Sequence, residues 1–170
     1  MRQLELKDIS GYLPYDLYVI TNRTINPKLV HCAGRGNLYI GTTFRAINIK
    51  YCKAVMRPLS DMYKTIIHNE IEIIPIVELA KIAFPNQLNY CHLKGNYCDI
   101  FSSDKKYSYL FRYEEKESYF RLVYTGDFND MYTNQHQLFD YLKKLKIDYR
   151  GLIESGLAID ANTLETNPYK

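Results

Sequence analysis

His31-Cys32 and the group Cys91, His92 and Cys98 hold the residue types that bind soft metal ions. A zinc site needs ligands converging on one point, and zinc modules space their paired cysteines by roughly two to four residues. Six residues separate Cys91 from Cys98. Adjacent residues of an extended chain also point to opposite faces, so His31 and Cys32 cannot readily share an ion. The four thiols therefore read as core residues, and neither a metal nor any other cofactor is expected. Paired carboxylates are the second kind of chemistry on offer. Asp99 with Asp104, or Asp127 with Asp130, could be arranged as a two-metal nuclease site. Asp127 and Asp130 fall in the run Gly126-Asp127-Phe128-Asn129-Asp130, where Asp and Asn serve turns by bonding the nearby backbone. No nucleophile elbow, phosphate-binding loop or paired-cysteine motif accompanies them. No catalytic residue is expected, and a small metal-dependent nuclease remains only as an alternative.

Binding chemistry is better supplied. The 44 residues from Leu17 to Ser60 contain no aspartate or glutamate, although the chain of 170 has 19. At the average density about five would fall there. The segment instead carries Arg23, Lys28, Arg35, Arg45, Lys50, Lys53 and Arg57, with Tyr18, Tyr39, Phe44 and Tyr51 among them. Cations with no carboxylate beside them set up a positive field. A nucleic-acid surface needs such charges to displace phosphate counterions, and rings to stack on bases. Arg35, between Gly34 and Gly36, is placed at a turn tip from which it can reach a phosphate backbone. The expected nucleic-acid-binding set is thus those seven cations with Tyr39, Phe44 and Tyr51. A solvated basic face, or one docked on the acidic part of the same chain, has the same composition. Residues 1–60 hold 9 basic and 3 acidic side chains, and residues 61–170 hold 13 and 16.

The elements that position these residues follow from periodicity. A short helix is expected over 4–12, stopped by Gly11 and Pro14. Leu17–Thr21, Leu29–Cys32, Leu38–Gly41 and a longer run from Ile47 to Val55 read as strands, the middle two forming a hairpin around Gly34-Arg35-Gly36-Asn37. Together they suggest one small curved antiparallel sheet, SH3-like or OB-like. Ser60 and Asp61 read as the start of a helix with Met62, Ile66 and Ile67 on its apolar stripe. Ile71–Ile76 is extended, Val77–Phe84 is a helix cut by Pro85, and Asn86–Gly95 is a polar loop. Tyr107, Tyr109, Phe111 and Tyr113 share one face of a strand that turns at Glu114–Glu117 and returns over Ser118–Tyr124. That row could stack bases, but reads better as the face of a core sheet with its hydroxyls at the rim. Gly126–Asn134 is a loop. Leu138, Tyr141, Leu142 and Leu145 make the buried stripe of a helix over Gln135–Lys146, capped by Thr133 or Asn134. Gly151–Gly156 is a further turn, and the tail from Asn162 is expected to be loose.

Composition is that of a folded chain: 46% hydrophobic, 24% charged, with 17 tyrosines and no tryptophan. Tyrosine, flat and apolar with a polar tip, suits half-buried faces and contact surfaces. The first residues contain no apolar run, so no signal peptide is expected. The apolar stretch Ile71–Phe84 is broken by Glu72, Pro75, Glu78 and Lys81, so no membrane span is expected either. Both point to a cytoplasmic protein with reduced thiols.

Leu13-Pro14-Tyr15-Asp16-Leu17, Arg57-Pro58-Leu59-Ser60-Asp61-Met62, Ile74-Pro75-Ile76-Val77-Glu78-Leu79-Ala80 and Gly151-Leu152-Ile153-Glu154-Ser155-Gly156-Leu157-Ala158-Ile159-Asp160 follow one another along the chain, which ends Asn167-Pro168-Tyr169-Lys170. In these pieces, which span most of the chain, it resembles short proteins carried by tailed phages and prophages of anaerobic gut bacteria. The resemblance implies a phage product acting in a host bacterial cytoplasm, and brings no catalytic motif. The expected architecture is α+β, with a basic β-rich lobe over 1–60 and a mixed lobe over 61–170 built on the 107–124 hairpin and the 135–146 helix. The expected function is a non-enzymatic accessory protein that binds. Its expected partner is a host protein or ribonucleoprotein, foremost a nucleic-acid-guided defence complex antagonised in the manner of an anti-CRISPR, with RNA or DNA met by the basic segment. A protein–protein or virion-assembly module without nucleic-acid contact is the rival.

Overall fold

The computed structural model describes all residues except 1, 22–23, 27–28, 34–36, 41–44, 86–89, 102–106, 128 and 132. For 24–26, 29–33, 37–40 and 45–46 it describes the backbone alone. The fold is α+β, with mostly antiparallel sheets and a few short helices. It divides into two compact units, Met1–Leu59 with Lys143–Tyr169, and Ser60–Leu142. Among the described residues no helix is long and apolar enough to cross a membrane.

The first unit opens with α1 (Leu6–Ile9), where the Asp8 carboxylate accepts from the Glu5 N–H at 2.9 Å. A 3-10 helix over Ser10–Tyr15 follows, in place of the continuous helix expected over 4–12. Ile9 and Tyr12 are both buried, and their spacing of three matches the tighter turn. Next come β1 (Val19–Thr21), β2 (Thr24–Asn26), β3 (Leu29–Ala33), β4 (Asn37–Ile40), β5 (Arg45–Asn48) and β6 (Cys52–Met56). These strands divide between two sheets: β1 pairs with β2 and β6, while β4 lies between β3 and β5. The expected hairpin is present as β3–β4, and its turn at 34–36 lies outside the described residues.

The single strand expected over 47–55 is broken by a 3-10 turn at Ile49–Tyr51. The reason is a slip in phase. Ile47 and Ile49 face the core in one alternation, and Cys52, Ala54 and Met56 face it in another that is one residue out of step. A straight strand would expose one of these sets, and the turn absorbs the odd residue.

In the second unit a 3-10 helix over Leu59–Tyr63 leads into β7 (Ile66–His68) and β8 (Ile71–Ile73), an antiparallel hairpin where the sequence pattern predicted a helix through Ile67. The β-branched isoleucines favour the strand. Asn69 and Glu70 turn it with φ of +52° and +65°, a pair of left-handed residues that fits the strands' twist. Glu70 holds that conformation against its own Cβ. Glu70→Gly is therefore expected to stabilise the protein by about 0.5–1 kcal/mol, measured by denaturant unfolding.

Pro75 supplies the first residue of α2 (Pro75–Ala83), and Ile76, Leu79 and Ala80 form its buried stripe. Then β9 (Tyr90–Lys94), β10 (Tyr97–Phe101), β11 (Ser108–Glu114), β12 (Tyr119–Tyr124) and the two-residue β13 (Asp130–Met131) make one five-stranded antiparallel sheet. β9 occupies half of the expected polar loop, because Cys91 and Leu93 alternate with polar residues opposite Ile100 and Cys98. The β11–β12 hairpin has the expected turn, with Tyr113 opposite Phe120. On its inner face Phe111 stacks on Phe120 at 5.6 Å and 3°, and Phe120 packs on Phe139 at 5.5 Å. Phe139 belongs to α3 (Gln135–Lys144), which the Asn134 side chain caps by accepting from the Gln137 N–H. The Gln135 amide brackets Phe120, accepting from its N–H at 2.8 Å and donating to its carbonyl at 2.6 Å.

From Lys143 the chain belongs to the first unit, a departure from the expected 61–170 lobe. Two extended pieces hold it there. Ile147 bridges Arg57 in parallel, and β14 (Ala158–Asp160) adds a parallel strand to β6. Leu152, Leu157 and Ala158 join Ile9, Tyr12, Leu17, Val19, Ala54 and Met56 in one core. The tail expected to be loose is anchored instead. The Tyr169 hydroxyl donates to the Val55 carbonyl at 2.7 Å and accepts from the Tyr18 N–H at 3.2 Å. It thereby sits between β1 and β6 like a bound water, while the Val55 N–H reaches the Tyr18 carbonyl directly.

Candidate nucleic-acid interface

Asn48 closes the turn that breaks β5 from β6, its side chain accepting from the Lys50 N–H at 3.1 Å. With Ile49 drawn inward, Lys50 and Tyr51 are turned outward, and Tyr51 is 67% exposed. The Lys50 ammonium lies 4.8 Å from the centre of the Tyr51 ring, a cation held against an aromatic face. Lys53 stands opposite Ile20, on the face of β6 away from Ala54 and the core, and is exposed. Among the described residues neither Lys50 nor Lys53 forms an ion pair. Two lysines without an ion pair among the described residues thus stand within four residues of chain that also carry an exposed ring, enough to meet two phosphates and stack one base.

Arg57 must be taken out of this surface. It is 2% exposed, and its guanidinium donates to the Tyr169 carbonyl at 2.5 Å and lies 5.6 Å from the Tyr169 ring centre. Its backbone is used as well, the N–H bonding Lys146 and the carbonyl accepting from Asp148. Arg23, Lys28, Arg35 and Phe44 lie outside the described residues. Tyr39 and Arg45 are described by backbone alone, opposite Ala46 and Ile40 in the β4–β5 ladder. Whole-unit charge follows the same division. The first unit holds 13 basic and 7 acidic residues, and residues 60–142 hold 8 and 12.

The other sequence candidates resolve as follows. Cys91 faces Ile100 across the β9–β10 pair while His92 faces Asp99, so the two side chains leave on opposite faces and cannot converge on one ion. Cys52 and Cys98 are buried and Cys91 half-buried, whereas His31 and Cys32 are described by backbone alone. Among the described residues no three His, Cys, Asp or Glu side chains gather as metal ligands. Asp127 accepts from the backbone and side chain of Asn129, as a turn residue does. Asp130 is gripped by Arg121 through two bonds of 2.6 and 3.2 Å, and that hydrogen bonding holds its carboxyl below the usual range. Asp99 is paired with Lys94 at 2.5 Å, and Asp104 lies outside the described residues. In the aromatic row, Phe111 and Tyr113 are buried, Tyr109 packs at 4.7 Å on Phe84, the residue that follows α2, and Tyr107 is exposed at the end.

Sequence reasoning missed two features. The first is the anchoring role of Tyr169, for which residues 162–170 carry no periodic signal. The second is the facing of Cys91 toward Cys98, for which the signal existed. Gly95-Asn96 is a two-residue hairpin turn between alternating runs, and taking it as such puts both cysteines on one face. Compared with protein-family models, with curated proteins and with solved structures, the chain matches none.

Proposed function

We propose that this is a phage accessory protein that works by binding, with the basic face of its first unit directed at the nucleic acid of a host nucleic-acid-guided defence complex. The observation that carries the proposal is the exposed Lys50-Tyr51-Lys53 constellation in a segment without acids. The phage setting and a cytoplasmic place of action rest on the family resemblance of the sequence. An SH3-like or OB-like arrangement of the N-terminal strands belongs to the same reading. Its support is their antiparallel pairing, and their division between two sheets weighs against a single closed barrel.

Phosphate contacts are sequence-blind and salt-dependent, and that is what the test exploits. Binding of short labelled single-stranded RNA and DNA is measured by fluorescence anisotropy over a range of salt. Lys50→Ala and Lys53→Ala are each expected to weaken binding alike for all sequences and to reduce the salt slope by about one. Tyr51→Ala is expected to cost about 1–3 kcal/mol, the range for one stacked base. Unchanged affinity in the Lys50→Ala/Lys53→Ala double variant would remove the face from the proposal. Recovery from infected cells with a clean protein spectrum and one tightly bound polypeptide would favour the protein–protein rival.

A further inference from the structure

Cys91 and Cys98 belong to strands joined by the tight turn at Gly95, whose φ is +60°, and Asn96. The register sets Cys91 opposite Ile100 and Leu93 opposite Cys98. Alternation puts these four side chains on one face of the hairpin, with the two sulfurs on a diagonal. The right-handed twist of a strand pair shortens this diagonal. They differ sharply in access. Cys98 is 0% exposed, as is Ile100 beside it, while Cys91 is half-buried. A reagent in solution can therefore meet only the first sulfur.

The charges around the pair reinforce this asymmetry. The Cys98 thiol draws the Cys91 thiol below its ordinary range, with Lys81 assisting and with burial, Asp99 and Glu78 opposing. The Cys91 sulfur, with burial, pushes Cys98 far up. Lys81 and Glu78 come from α2, which packs on β9 and β10.

We propose that Cys91 and Cys98 form a reversible thiol–disulfide site for low-molecular-weight disulfides, in which Cys91 attacks and Cys98 resolves. The Cys91 thiolate displaces one thiolate from the small disulfide and forms a mixed disulfide. The Cys98 sulfur then attacks the Cys91 sulfur, its proton passing to the second departing thiolate. Two protein thiols are oxidised to one disulfide, and one small disulfide is reduced to two small thiols. A diagonal pair is wider than the separation a relaxed disulfide prefers, so the bond tightens the hairpin and is easily reduced again.

The test treats the full folded chain with oxidised glutathione, quenches with acid and maps thiols by mass spectrometry. In the parent chain the peptides carrying Cys91 and Cys98 are expected to become linked, with little glutathione retained. Cys98→Ala is expected to stop at a glutathione adduct on Cys91, and Cys91→Ser to leave Cys98 unmodified. A reducing thiol should restore the parent chain. Stable glutathione on Cys91 in the parent, linkage to another cysteine, or no reaction of either thiol would each overturn the proposal, and the parent's map needs no variant to fold.

Discussion

Tyr169→Ala is expected to destabilise the first unit by about 3 kcal/mol, and Tyr169→Phe by about 1–3 kcal/mol. The two substitutions separate two physical contributions. Phenylalanine keeps the ring, which meets Tyr18 edge-on at 5.6 Å and lies near the Arg57 guanidinium and the Lys146 ammonium. It removes only the hydroxyl, leaving the Tyr18 N–H and the Val55 carbonyl facing each other across a gap the phenol had bridged. An unmade backbone bond inside a sheet costs more than an average made one contributes, because desolvation is not recovered. Alanine removes the ring as well, and with it the surface over the buried Arg57 side chain. The measurement is urea unfolding together with hydrogen exchange resolved by peptide. Loss of protection should concentrate in 17–21 and 52–57, the two strands the hydroxyl joins. A Phe variant as stable and as protected as the parent would show that the strands close directly and that the relay contributes nothing.

The same residue shows why parts of the chain were legible and others were not. The β11–β12 hairpin could be read because its information is local: aromatics at alternate positions, acids at the turn, and a returning strand of matching period. α2 was readable for the same reason, with a stripe at Ile76, Leu79 and Ala80 between two prolines. The break at Ile49–Tyr51 was harder, since it shows only as a one-residue slip between two alternating runs. Ile66 and Ile67 fit a helical stripe with Met62, yet Asn69-Glu70 makes a tight turn that the strand alternative needs. At the candidate site, Lys50 and Arg57 look alike in sequence. What separates them is a partner 112 residues away, the Tyr169 carbonyl that accepts from Arg57, and no local pattern announces it. Charge counts along a chain therefore locate a field, while the long-range contacts decide which cations remain at the surface.

Stability is expected to fall as pH rises from about 9 to 12, and the buried acids of the fold fix the sign. Burial pushes the Cys52 thiol from 9.0 up to about 11. Burial, with the charge of Glu115 next, pushes the Tyr63 phenol from 10.0 up to about 12, and burial drives Tyr169 higher still. The unfolded chain releases these protons at their ordinary values and the folded chain retains them. The stabilisation is thus fully present below pH 9 for Cys52 and below 10 for the tyrosines, and disappears as pH rises through the folded values. Each proton kept only by the folded state lowers stability by about 1.4 kcal/mol per pH unit inside its window. Denaturant unfolding should give a first decline above pH 9 with Cys52 and Cys98, whose thiol the Cys91 sulfur and burial also push up, and a steeper one once the tyrosines join. Cys52→Ala should shrink the first decline to the share of Cys98 and keep the second, whereas Tyr169→Phe should soften the second. A free energy that stays level up to pH 11 would mean that water reaches these groups in the folded chain, and that the core around Cys52 is open.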